Sequence, residues 1–116
     1  MTDDPRDHLP LTPHVFQVLV AMSDGPLHGY AIIVAVQQRS GGALDLRTGT
    51  TYPALNRLER LGLLRSSWQS VGERRRRCYE LTDAGRRSLA TERQAWHDFT
   101  AAIGSVLNPT PPRAAT

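Results

Sequence analysis

Residues 48–81 read TGTTYPALNRLERLGLLRSSWQSVGERRRRCYEL, and the spacing of their apolar positions changes part-way. As far as Leu61 the leucines keep helical spacing. Leu55, Leu58 and Leu61 share one face, which predicts a helix over about residues 50–61. Thr50 or Thr48 would cap it, and Gly62 would stop it as the C′ residue. From Leu63 the period is two. Residues 64–70 and 75–81 predict the strands of an antiparallel hairpin that turns through Val71-Gly-Glu-Arg74.

Upstream, Thr12-Pro13 is a helix start, with Thr12 as N-cap and Pro13 in the first helical position. Phe16, Leu19, Val20 and Ala21 continue that helix to about residue 22, where Ser23-Asp-Gly-Pro26 ends it. Residues 28–40 predict a second helix with Ile32, Ile33 and Val36 turned inward, stopped by Gly41-Gly42. Leu44-Asp-Leu-Arg47 alternates and predicts a short edge strand. Downstream, Thr82 caps a last helix, Asp83 adds a favourable charge to its first turn, and Asn108-Pro109 ends it. Three helices, a hairpin and a final helix make a mainly helical α+β chain. The predicted fold is a winged helix whose second and third helices form a helix-turn-helix. The division expected is a flexible arm at 1–11, the winged helix at 12–82, a long helix at 83–108 and a proline-rich disordered tail at 109–116.

The 116 residues fit one small domain, and no apolar run nears the ~20 residues of a bilayer-spanning helix. The acidic start MTDDPRDHLP has no apolar h-region, so no secretory signal is expected. Cys78 is the only cysteine and suits a reducing cytoplasm. The net charge is +3, distributed unevenly. Residues 44–88 hold ten arginines against five acids, a local +5, so the remainder sums to −2. A local basic excess is expected where a surface meets phosphate.

Three features carry a functional reading. In the third helix, Thr50, Thr51, Tyr52, Asn56, Arg57 and Arg60 fall largely opposite the leucines. Short hydroxyls near a helix start, followed by Asn and Arg, suit a helix that reads base edges; the plain alternative is a solvated face. At the hairpin tip, Arg74, Arg75, Arg76 and Arg77 repel one another and add nothing to a core. Alternation sends Arg75 and Arg77 to one face and Arg74 and Arg76 to the other. They suit a wing on a DNA groove or backbone, or else a charged guard against edge aggregation. In the last helix, Leu89, Trp96 and Ile103 are spaced by seven, with Phe99 and Val106 three beyond Trp96 and Ile103. That seam predicts a homodimer, against the alternative of packing on its own domain. Trp96 and Phe99 have two readings there, interface packing and the lining of a cavity for a small hydrophobic or aromatic molecule.

Catalysis finds no support, and neither an enzyme nor a cofactor is expected. His8, His14, His28 and His97 lack mutual i/i+4 spacing, and Cys78 has no CxxC partner, so no metal site is expected. His97-Asp98 lacks further ligands, and no GxxxxGK[ST] or GxGxxG is present. His28 at the start of the second helix reads as a structural hydrogen-bonding residue.

The segments Gly25-Pro-Leu-His-Gly-Tyr-Ala-Ile32, Gly49-Thr-Thr-Tyr-Pro-Ala-Leu-Asn-Arg-Leu-Glu-Arg-Leu-Gly-Leu-Leu64 and Tyr79-Glu-Leu-Thr-Asp-Ala-Gly85 together resemble the PadR family, the phenolic acid decarboxylase repressors of bacteria. The resemblance covers about residues 11–107. It implies a cytoplasmic winged-helix repressor that dimerises through its C-terminal part and binds operator DNA. The single C-terminal helix is similar to the short subfamily that includes multidrug-responsive members. Tyr52 and Pro53 match the family's YP at the start of the recognition helix, and Gly72 with the arginines after it matches its wing. The wing departs in detail: many members have Gly-Arg-Pro-Arg-Lys-Tyr-Tyr, where this chain has Gly-Glu-Arg-Arg-Arg-Arg-Cys-Tyr. Trp96 stands where the short subfamily has aromatics lining a drug pore. A two-fold dimer implies a pseudo-palindromic operator with half-sites ~34–36 Å apart. The alternative function is a winged helix used for protein contacts alone.

Overall fold

The computed structural model describes residues 12–109 and 111. The arm expected at 1–11 lies outside them, as does the tail expected at 109–116 apart from Pro109 and Pro111. In chain order the elements are α1 (Pro13–Ala21), β1 (Leu27–His28), α2 (Gly29–Arg39), α3 (Thr48–Arg60), β2 (Leu64–Val71), β3 (Arg74–Leu81) and α4 (Asp83–Leu107). The winged helix is therefore present, mainly helical. Its core joins Val18 and Leu19 of α1, Ile32, Ile33 and Val36 of α2, Leu55 and Leu58 of α3, the hairpin base and Leu89.

Local chemistry sets the ends. The Thr12 hydroxyl accepts from the Val15 amide at 3.3 Å, and Pro13 fills the first helical position. Thr82 does two jobs: its hydroxyl accepts from the Gly85 amide at 3.0 Å and donates to the Gly62 carbonyl at 2.6 Å. A Cβ on Gly85 would land inside the Leu63 carbonyl, so only glycine lets α4 start this close to the α3–β2 corner. The Thr82 amide also donates to that same Leu63 carbonyl at 3.1 Å.

β2 and β3 pair antiparallel from Leu64↔Leu81 to Val71↔Arg74, leaving a turn of two residues. Gly72 takes φ +63° there, the first loop position at which a type II′ hairpin places glycine. The turn therefore runs over Val71 to Arg74 as expected, with each strand extending one residue further than expected, onto those two positions.

Several expectations need correction. Leu44–Arg47 forms no strand; the third strand is β1, whose Leu27 and His28 pair with Tyr79 and Cys78 at the free edge of β3. Only Leu46 of the 44–47 segment is buried, so it acts as a plug beneath the domain. Because His28 belongs to β1, α2 begins at Gly29. α3 begins two residues early, at Thr48, and its N-cap is Arg47, without a side-chain bond. Neither threonine caps it. Thr50 instead donates its hydroxyl to the Arg47 carbonyl at 3.2 Å.

Candidate nucleic-acid interface

α3 carries two unlike faces. Leu55 and Leu58 are buried, and Thr51, one turn before Leu55, is fully buried as well. Thr51, expected on the outward face, is therefore a core residue. Its inward position follows from the leucine stripe that defined the helix. Leu61, expected inside with the leucines, is only half-buried. Thr50, Tyr52, Pro53, Asn56, Arg57 and Arg60 lie on the outer side, as a reading face requires. Pro53 lies inside the helix and supplies no N–H to its ladder.

The wing has the expected alternation, and the register adds detail. Trp68 pairs with Arg77, so Trp68, Arg75 and Arg77 share a face. The Arg75 and Arg77 guanidiniums lie 5.1 and 5.6 Å from the Trp68 ring centroid. Trp68 is more than half exposed. Its place opposite the arginine run was the available signal, and sequence reasoning missed it. Arg77 is further tied to α3. Its guanidinium reaches Glu59 Oε2 at 3.1 Å and donates to the Ser66 hydroxyl at 2.9 Å, while Ser66 donates to Glu59. Arg65 pairs across the strands with Glu80 at 2.6 Å, which holds its guanidinium still more firmly protonated. Among the described residues no ion pair takes up Arg74, Arg75 or Arg76.

Beside both elements lies the corner where β1 meets α2. The Tyr52 ring crosses Gly29, where any Cβ would stand 2.5 Å from Cε1. Arg76 reaches the His28 ring, with Nη1 3.4 Å from Nε2. Tyr79 is buried beneath, and burial pushes its hydroxyl above the usual range while Arg77 pulls it back.

α4 divides along its length. Leu89 is buried in the protomer's own core, which removes it from the expected seam. Further along, Trp96 is stacked on Phe16 at 5.6 Å and edge-on to Phe99 at 5.9 Å. Beyond it Phe99, Ile103, Val106 and Leu107 are exposed on a helix ~37 Å long that outruns the domain. The Trp96 indole nitrogen is buried without a hydrogen-bond partner among the described residues. No group of three or more His, Cys, Asp or Glu placed to hold a metal occurs among the described residues, and no helix there is long and apolar enough to cross a membrane.

The pattern of the transcriptional regulator PadR-like family matches residues 18–91, from α1 through the hairpin into α4. The chain belongs to that family. PadR-like proteins are transcriptional regulators, not enzymes. The PadR-like chain is 37% identical over 82 residues to the transcriptional regulator Rv3488 of Mycobacterium tuberculosis, covering 71% of this chain and 74% of that one. It is 46% identical over 90 residues to an uncharacterized 37.1 kDa protein in transposon TN4556 of Streptomyces fradiae. That match takes in 78% of this chain but only 24% of the transposon protein, so the chain spans about a quarter of that relative's length. Among solved structures, a PadR family regulator from Eggerthella lenta superposes with a TM-score of 0.70 at 30% identity, covering 91% of this chain and 87% of that one. Bacillus subtilis PadR, solved with operator DNA, shares the fold with a TM-score of 0.59 at 20% identity, covering 92% of this chain and 54% of that one.

Proposed function

We propose that the chain is a cytoplasmic transcriptional repressor that binds a pseudo-palindromic operator as a homodimer. The observation that carries this is the meeting of helix and wing, where Tyr52 of α3 lines one cavity with Arg76 of the wing. Asn56 and Arg57 of α3 are exposed, and Arg74, Arg75 and Arg76 have no acidic partner among the described residues. α3 enters the major groove, the wing lies on the neighbouring backbone, and α4 joins the copies so that two recognition helices meet successive grooves. The Bacillus subtilis relative, solved with operator DNA, has the same fold, which supports the reading. The test is fluorescence anisotropy of the chain's own promoter DNA against a random duplex over a salt series. Tighter binding to the promoter, with log K falling linearly against log salt, is expected. No salt-dependent binding to either duplex would leave a module for protein contacts.

Within this proposal the exposed Arg57 is assigned to a base edge. Arg57→Ala should cost ~1–3 kcal/mol on the operator and relax specificity at one position. An equal loss on random DNA would make it a phosphate contact instead. The proposal extends to a small hydrophobic or aromatic effector bound beside Trp96 and Phe99, between the two copies. Planar aromatic compounds should then quench Trp96 saturably in a Trp68→Phe background, and no quenching would remove the effector from the proposal.

A further inference from the structure

The Gly25–Ile32 segment is the one resemblance-bearing motif that the reading helix, the wing and the seam leave without a role. Its His28, Gly29 and Tyr30 line a cavity of ~370 Å³ together with Tyr52 and Arg76. Among the described residues, every polar side chain on the cavity wall is able to donate, and no carboxylate lines it. Arg76 can only donate, so in its contact with the His28 ring Nε2 is the acceptor. Tyr30 is 60% exposed and Tyr52 39%, each with a phenol at the cavity. The nearby acids are already engaged, Glu59 by Arg77 and Glu80 by Arg65. Among the described residues no acid pairs with Arg76, so it brings a positive charge to a pocket of hydroxyl and guanidinium donors, which is the chemistry of an anion site.

Position names the anion. Tyr52 belongs to the first turns of α3 and Arg76 to the wing, so the cavity opens between the two elements proposed to straddle a duplex. A backbone laid across both passes this corner. Gly29 keeps the corner open, because any side chain there would displace the Tyr52 ring. We propose that His28, Tyr30, Tyr52 and Arg76 form a seat for one backbone phosphate of the bound DNA. The inference rests on the DNA-binding reading. The seat sets the register of the protein on the duplex and carries no sequence information of its own.

The experiment uses the full chain, the promoter and random duplexes, and the double variant Tyr30→Phe/Arg76→Gln. Both changes lie at the surface, and equal melting temperatures confirm an intact fold. The variant should lose about tenfold on both duplexes alike and flatten the slope of log K against log salt by ~0.9, the value for one neutralised phosphate. Arg39→Gln, at the far end of α2 where Arg39 faces Asp24 at 4.0 Å, should leave the slope unchanged. In a second arm, one neutral methylphosphonate is walked along each strand. At one position the unaltered protein should weaken while the double variant weakens no further. An unchanged slope in the double variant, a loss confined to the promoter, or no such position in the walk would each overturn the seat. If the unaltered chain binds neither duplex, the DNA reading itself fails and takes the seat with it.

Discussion

Ile103→Asp should leave the chain monomeric at tens of micromolar, where the unaltered protein should be a dimer. Phe99, Ile103, Val106 and Leu107 stand on a stretch of α4 that the protomer's own core leaves uncovered. Burying such side chains contributes ~1.5–3 kcal/mol each, so four from each copy set ~12–24 kcal/mol against an association cost of ~4–15 kcal/mol. An aspartate in the seam removes one of these contributions from each copy and buries two like charges, which adds several kcal/mol against pairing. The dimer dissociation constant should rise at least ~10³-fold, the equivalent of about 4 kcal/mol. Trp96→Ala should shift the equilibrium in the same direction but less cleanly, because Trp96 also stacks on Phe16 of its own protomer. Light scattering decides the matter. An unchanged dimer mass for Ile103→Asp would take the interface away from this face of α4, and a monomeric unaltered protein would remove the two-fold operator with it.

Replacing Arg74, Arg75 and Arg76 together by Gln should weaken operator and random DNA alike, by at least about a thousandfold at ~1.5 kcal/mol per charged hydrogen bond. The slope of log K against log salt should flatten by ~2.7, at ~0.9 for each phosphate no longer neutralised. Arg77→Gln alone should flatten it by much less than ~0.9. Glu59 already neutralises Arg77, and Trp68 and Ser66 hold its guanidinium against α3. Equal slopes for the triple variant and the unaltered protein would reduce the arginine run to a guard against edge pairing. A flattening by the full ~0.9 for Arg77→Gln would mean that the Glu59 pair opens on DNA.

The parts of this fold that were legible in the sequence are those whose cause is local. Thr12-Pro13 and Thr82 cap helices through residues three positions away, and the hairpin follows from alternation and a turn glycine. Thr51 was misplaced although its signal was present, since the Leu55–Leu58 stripe extends back onto it by one turn. Leu89 fits the heptad spacing, yet the core reaches it first; spacing alone does not say which partner buries a side chain. The two-residue strand Leu27–His28 has no period to detect and exists only because β3 offers a free edge. The Glu59–Arg77 pair and the corner of His28, Tyr52 and Arg76 join residues 18 to 48 positions apart. Only the tertiary fold brings those side chains together, so charge counting found the basic surface but not its internal ties.

The attachment at Leu63 has a mechanical consequence. One carbonyl receives the Thr82 amide and fits against Gly85, and Leu89 and Trp96 pack on the domain, so the first half of α4 is fixed to it and the rest extends beyond as an arm. In the proposed dimer each winged helix rides on such an arm. A reorientation of the distal seam by ~5° over ~37 Å displaces the far end by about 3 Å, close to the ~3.4 Å rise of one base pair. The span between the two reading helices is thus geared to small rotations far from the DNA.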